Sequence, residues 1–422
     1  MKKSCGFITE LMVLCGAFLM PLPAHTQNIE YVGSFRTPDQ ALGVAVENNY
    51  AYVADYDSGL LIIDITNPAS PSLISSYITP SHAMGILIQG NYAYVADGYA
   101  GLQIINIVDP ASPLYVGSYD TPAYAWRVSV SGNYAVVADA NSIQIIDIAD
   151  PANPLLAGSL SSIRGIQGVF AAGYYAYTAE TDSGLQIINF GDPANPYLAG
   201  GLDTPGYSRN VFISDNYAFV ADDAEDPDHY LNAWVQIIDV IDPSCPILTA
   251  SFSTRDYSWD IFVAGNYAYA AEFTSGIQII DIANPANPIE AGYYDTPGIA
   301  WGIFARGNFV YVADDSSLLI LRFTSSGIEK NDNPPKEFSL ARNYPNPFNY
   351  QTTIQYFLSK QSLVTIYIFD ILGCKIETLA EGIKPVGEHH VTWNASGRSS
   401  GIYYFGIKAG DKVETRKMVL LK

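Results

Sequence analysis

From about residue 29 to residue 323 the apolar positions come in short runs, some alternating and some fully apolar, rich in Val, Ile and Tyr. Gly, Pro, Asn and Asp separate them, which predicts β-strands bounded by turns. In one stretch Gly85 to Ile88, Tyr92 to Ala96, Leu102 to Ile107 and Leu114 to Tyr119 read as four successive strands. Helices are disfavoured because pairs such as Asp109-Pro110, Asp150-Pro151 and Asn284-Pro285 recur from period to period. Proline lacks the amide a helix needs and holds the preceding residue extended. The expected role of these pairs is to turn the chain between a third and a fourth strand.

The pattern repeats. NYAYVAD starts at Asn49 and again at Asn91, followed by NYAVVAD at Asn133, YYAYTAE at Tyr174, NYAFVAD at Asn216, NYAYAAE at Asn266 and NFVYVAD at Asn308. The spacing is 41 or 42 residues, with one interval of 50. A period of this length with four strands describes a propeller blade, so the chain is expected to be all-β with a seven-bladed β-propeller. The last period stops after its third strand, Leu318 to Phe323. Its missing fourth strand is found at the other end, where IEYVGSF from Ile29 matches LYVGSY from Leu114 in position and type. The N-terminal strand is therefore expected to complete the last blade and close the ring, leaving no open edge.

Within each period the third strand and its turn read LLIIDITNPASP from Leu60, LQIINIVDPASP from Leu102 and IQIIDIANPANP from Ile277. These segments resemble the LVIVD-repeat proteins. The resemblance covers roughly residues 29 to 323 and implies a β-propeller, commonly extracellular or cell-surface, with no defined catalytic activity.

The pattern changes after residue 336 to NYPNPFN from Asn343, alternating strands at Thr353 to Phe357 and Val364 to Phe369, and SGIYYFGIKAG from Ser400. A small immunoglobulin-like β-sandwich is expected. Asn343, Pro345, Asn346, Pro347, Phe348, Gly373, Gly387, Trp393, Gly401 and Tyr403 fall in the order of the C-terminal sorting domains of type IX secretion substrates, which the segment resembles. It departs from them at Tyr350 and Cys374. The resemblance implies handling by the type IX secretion machinery, export across a bacterial outer membrane, and often removal of this domain with attachment of the rest to the surface. At the other end Lys2 and Lys3, the apolar run Leu11 to Met20 and the segment Pro21 to Gln27 read as a signal peptide. The expected organisation is signal peptide 1–26, propeller 27–324, linker 325–336 and sorting domain 337–422. Cys5 and Cys15 leave with the signal, so Cys245 and Cys374 sit in separate domains and no disulfide framework is expected. No later stretch is long and apolar enough for a membrane-spanning helix.

Charge narrows the partners. The formal net charge is −21, and residues 27–335 hold 34 acidic against eight basic residues, whereas residues 336–422 hold seven against 11. An acidic propeller repels nucleic acid and anionic membrane. It holds only His82, His229 and Cys245 among the usual nucleophilic and metal-binding types, and no catalytic motif. No enzyme, cofactor or metal is expected, although a carboxylate-based hydrolase or lyase acting on polysaccharide and a structural surface-layer component are the alternatives. The carboxylates ending the heptapeptides, Asp55, Asp97, Asp139, Glu180, Asp222, Glu272 and Asp314, read either as a ring of cation ligands or as turn residues bonded to nearby amides. The second reading is preferred. The longer interval comes from extra residues from Asp223 to Trp234, where Asp222, Asp223, Glu225, Asp226 and Asp228 read as a solvated acidic loop, with a calcium site as the alternative.

Two positions opening each inner strand vary where other slots repeat. The first holds Leu42, Met84, Trp126, Gln167, Arg209, Trp259 and Trp301, and the second Gly43, Gly85, Arg127, Gly168, Asn210, Asp260 and Gly302. Loops before inner strands share one face of a propeller with those between second and third strands. Trp126, Arg127, Arg209, Trp259, Asp260 and Trp301 are therefore the candidate rim for an extracellular protein or glycan. The competing reading makes the tryptophans inter-blade core. A monomer, secreted or attached to the outer membrane, is expected.

Overall fold

The computed structural model describes residues 28–161, 165–223, 233–324, 338–344, 346, 348–358, 361–371, 374–385, 387–409 and 412–421. The signal peptide, the linker, the acidic insertion from residue 224 to 232, and Pro345, Pro347 and Gly373 lie outside these residues.

The heptapeptide strand is buried on both faces, and the two faces differ in size. In the first blade Tyr52 and Ala54 join Leu60 and Ile62 against Ala93, Val95, Ile105 and Ile107 of the second. Ala51 and Val53 point the other way, against Tyr311, Ala313, Leu318 and Ile320 of the seventh. Most blades so offer a face with one tyrosine to the next blade's alanines and valines, as at blades 2 and 3 (Tyr94 with Ala135 and Val137) and blades 4 and 5 (Tyr177 with Ala218 and Val220), while Val136 of blade 3 and Phe219 of blade 5 take the tyrosine's place. Burial raises the Tyr52 and Tyr94 hydroxyls to about 12, so these rings stay neutral in the core.

The sheets are antiparallel and four-stranded. Blade 2 is Gly85–Gln89, Tyr92–Ala96, Leu102–Asn106 and Leu114–Tyr119, and blades 3 to 6 follow the same order. The third strand ends in a carboxylate or amide that caps the turn: Asp64 accepts the Thr66 amide at 2.7 Å and Asn106 accepts the Val108 amide at 2.9 Å. The proline turn that follows also reaches the preceding blade. A Cβ on Gly33, Gly117, Gly158 or Gly200 of the outer strands would run into the carbonyl of Pro68, Pro151, Pro193 or Pro243 in the next blade. Glycine there permits a close approach that alanine would break.

Closure follows the expected route. The first strand, Ile29–Glu47, is shared by two blades: residues 29–36 pair with residues 317–323 of Phe309–Phe323, from Ile29 opposite Phe323 to Arg36 opposite Ser317. Residues 41–47 then pair with Tyr50–Asp55 as the inner strand of blade 1. Ile29 packs with Ile279, Leu321 and Phe323, tying blades 6 and 7. Inner strands contact one another in sequence around the ring, with the first also touching the last.

Two further sheets form the C-terminal domain. Phe338–Tyr344, Gln351–Leu358 and Gly387–Asn394 make one, and Lys375–Lys384, Ser362–Phe369, Gly401–Ala409 and Lys412–Leu420 make the other. They share one core in which Ile354, Tyr356 and Trp393 meet Ile366, Phe405, Ile407 and Met418. The sorting-type motif is part of that core. Phe348 is buried beside Trp393, its amide bonds the Val419 carbonyl at 2.9 Å, and the Asn346 side chain accepts the Val419 amide at 2.8 Å. Asn343 bonds Thr352 at 3.0 Å, and the Tyr403 hydroxyl donates to the Ser399 carbonyl at 2.8 Å. The NPF segment thus clamps the last strand to the sandwich.

Deleting residues 28–36 should unpair the final blade and strip Ile29 and its neighbours from the core. The expected loss is several kcal/mol, roughly the burial of two or three large apolar side chains. Chemical denaturation of the variant checks this, and a midpoint equal to the parent's would contradict closure as a source of stability.

Candidate functional site

The two variable positions lie where the inner strand carries one residue too many. Opposite Ala54 and Asp55 stand Gly43 and Ala41, so Leu42 is left over. Trp126, Gln167, Arg209 and Trp301 are the surplus residues of the same β-bulge in blades 3, 4, 5 and 7. In blades 2 and 6 regular pairing begins one residue later, and the Met84 and Trp259 amides bond the Ala96 and Ala271 carbonyls at 2.8 and 2.9 Å. A bulge interrupts the ladder and re-aims a side chain. Here it does so at the same end of five of the seven inner strands, around the mouth of the ring.

The structure brings part of the expected rim together. Trp259 and Trp301 meet edge to face with centroids 4.8 Å apart, Phe273 packs edge-on to Trp301 at 5.1 Å, and the Arg209 guanidinium lies 4.9 Å over the Trp259 ring. Arg209 is held by Asp223, through Nε at 3.0 Å and Nη2 at 2.8 Å, and by the Gln167 side-chain oxygen at 3.1 Å. Trp126 belongs to a second group, 4.8 Å from Tyr124. None of the three tryptophans enters the inter-blade apolar clusters formed by the described residues. All three are half-buried, and the indole N–H of Trp301 is buried with no hydrogen-bond partner among the described residues. Leaving such a donor unpaired costs about 1–3 kcal/mol, which stability alone does not explain.

The second variable position divides into two kinds. Gly43, Gly85, Gly168 and Gly302 sit where neighbouring inner strands crowd: a Cβ on Gly85 would come within 2.8 Å of the Trp126 carbonyl, and one on Gly302 within 2.6 Å of the Leu42 carbonyl. Four of the seven are therefore set by packing. The other three form a buried polar knot. Asp260 accepts the Asn210 side-chain amide, the Ile261 amide at 2.9 Å and the Ile303 amide at 3.0 Å, and Arg127 reaches it from blade 3 at 3.3 Å. The knot joins blades 3, 5, 6 and 7, and Asp260, with its oxygens so engaged, lies below the rim. Two residues further along the strands, Phe170, Phe212, Phe262 and Phe304 form an aromatic ladder with centroids 4.5 to 4.9 Å apart.

The periodic carboxylates bond to amides, but not those of their own turns. Asp55, Asp97, Asp139 and Asp314 accept the amides of Asp39, Ser81, Ala123 and Gly298 at 2.9 to 3.1 Å, in the loop that leads into the inner strand of the same blade. Glu272 does the same for Arg255 at 3.0 Å, and Asp222 draws in the Thr204 hydroxyl at 2.6 Å. These six carboxylates therefore anchor loops of the mouth from beneath. Burial pushes their protonation upward, for Asp55, Asp97, Asp139, Asp222 and Asp314 against the pull of neighbouring hydroxyl and amide hydrogen bonds, and for Glu272 to about 8. Glu180 is buried and lies 3.3 Å from the Thr178 hydroxyl.

Sequence reasoning missed the residue that follows the carboxylate. Tyr56, Ala140, Phe273 and Asp315 adopt the left-handed backbone, with φ of +38°, +32°, +41° and +51°, where Gly98 fits freely at +50°. Bulky residues are rarely held there. Two of these are aromatic: Tyr56 stacks flat on His82 at 4.2 Å, and Phe273 abuts Trp301. Aromatic residues that replace glycine after a repeated carboxylate were the available signal.

Comparison with protein families bears on identity at this point. The LVIVD repeat model matches residues 39–79, 80–121, 122–161, 164–204, 205–254, 256–296 and 297–321, more than half of the chain. The chain belongs to the LVIVD-repeat family. The Secretion system C-terminal sorting domain model matches residues 342–421. This LVIVD-repeat protein is accordingly a secreted or outer-membrane-attached bacterial propeller handled by the type IX machinery. No curated protein matches it. Among solved structures it is similar to the WD40 β-propeller domain of Doa1, at 9% identity and a TM-score of 0.56 over 70% of this chain and 97% of that one. The β-propeller domain of Myceliophteria thermophila Cps50 (Swd1) gives 11% and 0.56 over 70% and 100%. The computationally designed Ika8 protein gives 8% and 0.53 over 70% and 100%. At these identities the likeness concerns the fold alone. No helix of the described residues is long and apolar enough to cross a membrane.

Glu272 generates a pH prediction. Its folded value of about 8 lies above the ordinary 4.5, so between these values the native state keeps a proton that the unfolded chain releases. Stability from this group is complete below about pH 4.5 and is lost as pH rises through 8. The melting temperature of the parent should fall from pH 5 to pH 8.5, and Glu272→Gln should flatten that slope. Equal slopes in calorimetric scans of the two proteins would contradict the assignment.

Proposed function

We propose that the LVIVD-repeat propeller is a non-catalytic binding module that holds an extracellular ligand, glycan or protein, at the bulge-lined mouth of the ring. One observation carries this reading. The position that opens the inner strand recurs around the ring, bulged in blades 1, 3, 4, 5 and 7, yet its side chain runs through Leu, Met, Trp, Gln, Arg, Trp and Trp, while the surrounding core and turn slots repeat. A frame that repeats and presents side chains that do not is the arrangement of a recognition surface on a rigid scaffold.

The contacts to ligand are assigned to Trp126, Arg209, Trp259 and Trp301. Aromatic rings and arginine combine large contact area with directional hydrogen bonding and dominate binding hot spots. Arg127 and Asp260 serve from below, where their pairing fixes the height at which blades 3 and 6 meet the rim. Six of the periodic carboxylates each give an oxygen to a loop amide or hydroxyl, and Asp223 and Asp260 each face an arginine, which favours binding over catalysis. Residues 27–324 are assigned to this module, 325–336 to a linker and 337–422, as an immunoglobulin-like sandwich, to sorting, behind a signal peptide at 1–26.

Two outcomes test these assignments. Changing Trp259 and Trp301 together to alanine in the mature chain should abolish capture on glycan and protein arrays and leave the melting temperature within a few degrees of the parent. A large drop in melting temperature would return the two rings to a packing role. Removing residues 338–422 should leave a folded propeller in the periplasm of the native host. Undiminished surface display of the truncated protein, detected by antibody on intact cells, would overturn the sorting assignment.

A further inference from the structure

The side of the mouth built by blades 1 to 3 carries aromatic groups that the periodic positions do not include. Tyr99, in the loop between the second and third strands of blade 2, is 72% exposed. Its ring meets Tyr124 edge to face at 4.8 Å, and Tyr124 leans on Trp126 at the same distance. The loop is shaped for this contact, since a Cβ on Gly98 would press on the Tyr124 ring at 3.0 Å. Tyr124 is fixed in turn: its hydroxyl donates to Met84 Sδ at 3.1 Å and lies 3.3 Å from His82 Nδ1. His82 is stacked on Tyr56, and its Nε2 lies 3.2 Å from Asp57 Oδ1.

Outward from Tyr99 runs a groove of about 530 Å³, lined by Tyr77, Tyr99, Gln103, Tyr115, Ser118 and Asp120. Tyrosine rings alternate in it with amide, hydroxyl and carboxylate groups. Gln103 is oriented by the bond from its Nε2 to the Ala100 carbonyl at 2.8 Å, and the Tyr115 and Ser118 hydroxyls share a hydrogen bond at 3.0 Å. The exposed Ser118 hydroxyl and Asp120 carboxylate offer polar partners to a ligand, whereas the Gln103 side chain is buried.

We propose that this groove, continued by Tyr124 and Trp126 to the mouth of the ring, binds an uncharged glycan chain. The proposal rests on the mouth being a ligand site and names the ligand class. A pyranose offers an apolar C–H face for a ring and peripheral hydroxyls for hydroxyl and carboxylate partners, which matches the tyrosines beside Ser118 and Asp120. Uronic or sulfated chains are disfavoured by Asp57, Asp120 and the acidic excess of the whole propeller. A protein partner needs about 800 Å² of surface on each side. The exposed aromatic groups of the groove are Tyr99 and Tyr115, beside Pro80, a better fit to two or three sugar units.

The test is titration calorimetry of the full mature chain with cellohexaose, laminarihexaose, xylohexaose and mannohexaose, and with hexagalacturonate as the anionic control. At least one uncharged hexamer should bind and the anionic one should not. Tyr99→Ala and Asp120→Asn should each weaken that binding about tenfold, a change of one decade in Kd. Both side chains are exposed, and the melting temperatures of the variants should match the parent. Absence of binding by every uncharged hexamer, preference for the anionic one, or unchanged affinity in both variants would overturn the proposal. Its failure is separable from that of the mouth itself: hexamer binding that is lost in the Trp259 and Trp301 double variant but kept in Tyr99→Ala places the glycan elsewhere on the rim, and array capture restricted to proteins rejects the ligand class.

Discussion

Antiparallel pairing between residues 29–36 and residues 317–323 joins the two ends of a repeat that otherwise has no reason to stop. Each blade buries both faces of its sheet against neighbours, so an open array of seven would leave one tyrosine-bearing face, one alanine and valine face and one unpaired edge in water. Closure removes all three at once. The shared strand also ties the geometry of blade 1 to that of blade 7, because Ile29–Glu47 completes one and begins the other without a break.

With the ring closed, the inner strands have nowhere to move, and the fine structure of the mouth follows. Glycines 43, 85, 168 and 302 let adjacent strands approach, and the Asp260 knot replaces that close approach where blades 3, 5, 6 and 7 meet. The bulge beside these positions turns a side chain toward the mouth in blades 1, 3, 4, 5 and 7. Loops that would otherwise be free are anchored from below by a buried carboxylate of the same blade. A buried acid is an expensive anchor, since it is held against desolvation, and its use in blade after blade indicates that loop position matters more here than maximal stability.

Acidity is divided along the chain in keeping with the two folds. The propeller carries nearly all of the negative charge, while the sorting domain is mildly basic. In the sorting domain the signature residues Asn343, Asn346, Phe348, Trp393 and Tyr403 are occupied in folding the sandwich. They specify a domain.

Much of this was legible without coordinates. A period of 41 or 42 residues, four short strands in each, the Asp-Pro turns and the displaced outer strand at Ile29 determine a closed ring of seven, because strand periodicity, turn chemistry and edge pairing are local rules that repetition makes unambiguous. The variable positions at 126, 209, 259 and 301 were equally visible, since departure from a repeat needs no structure to be noticed. Tertiary structure alone decided what those departures mean. That four of the second-position residues are glycine for close approach, that Asp260 gathers Arg127 and Asn210 from blades distant in sequence, and that the heptapeptide carboxylates reach back to hold upstream loops depend on which strands converge at the axis. Tyr56 and Phe273 stayed hidden for the same reason: a left-handed φ forced on an aromatic residue is set by how a loop must fit its neighbours, and nothing in the order of residues states that fit.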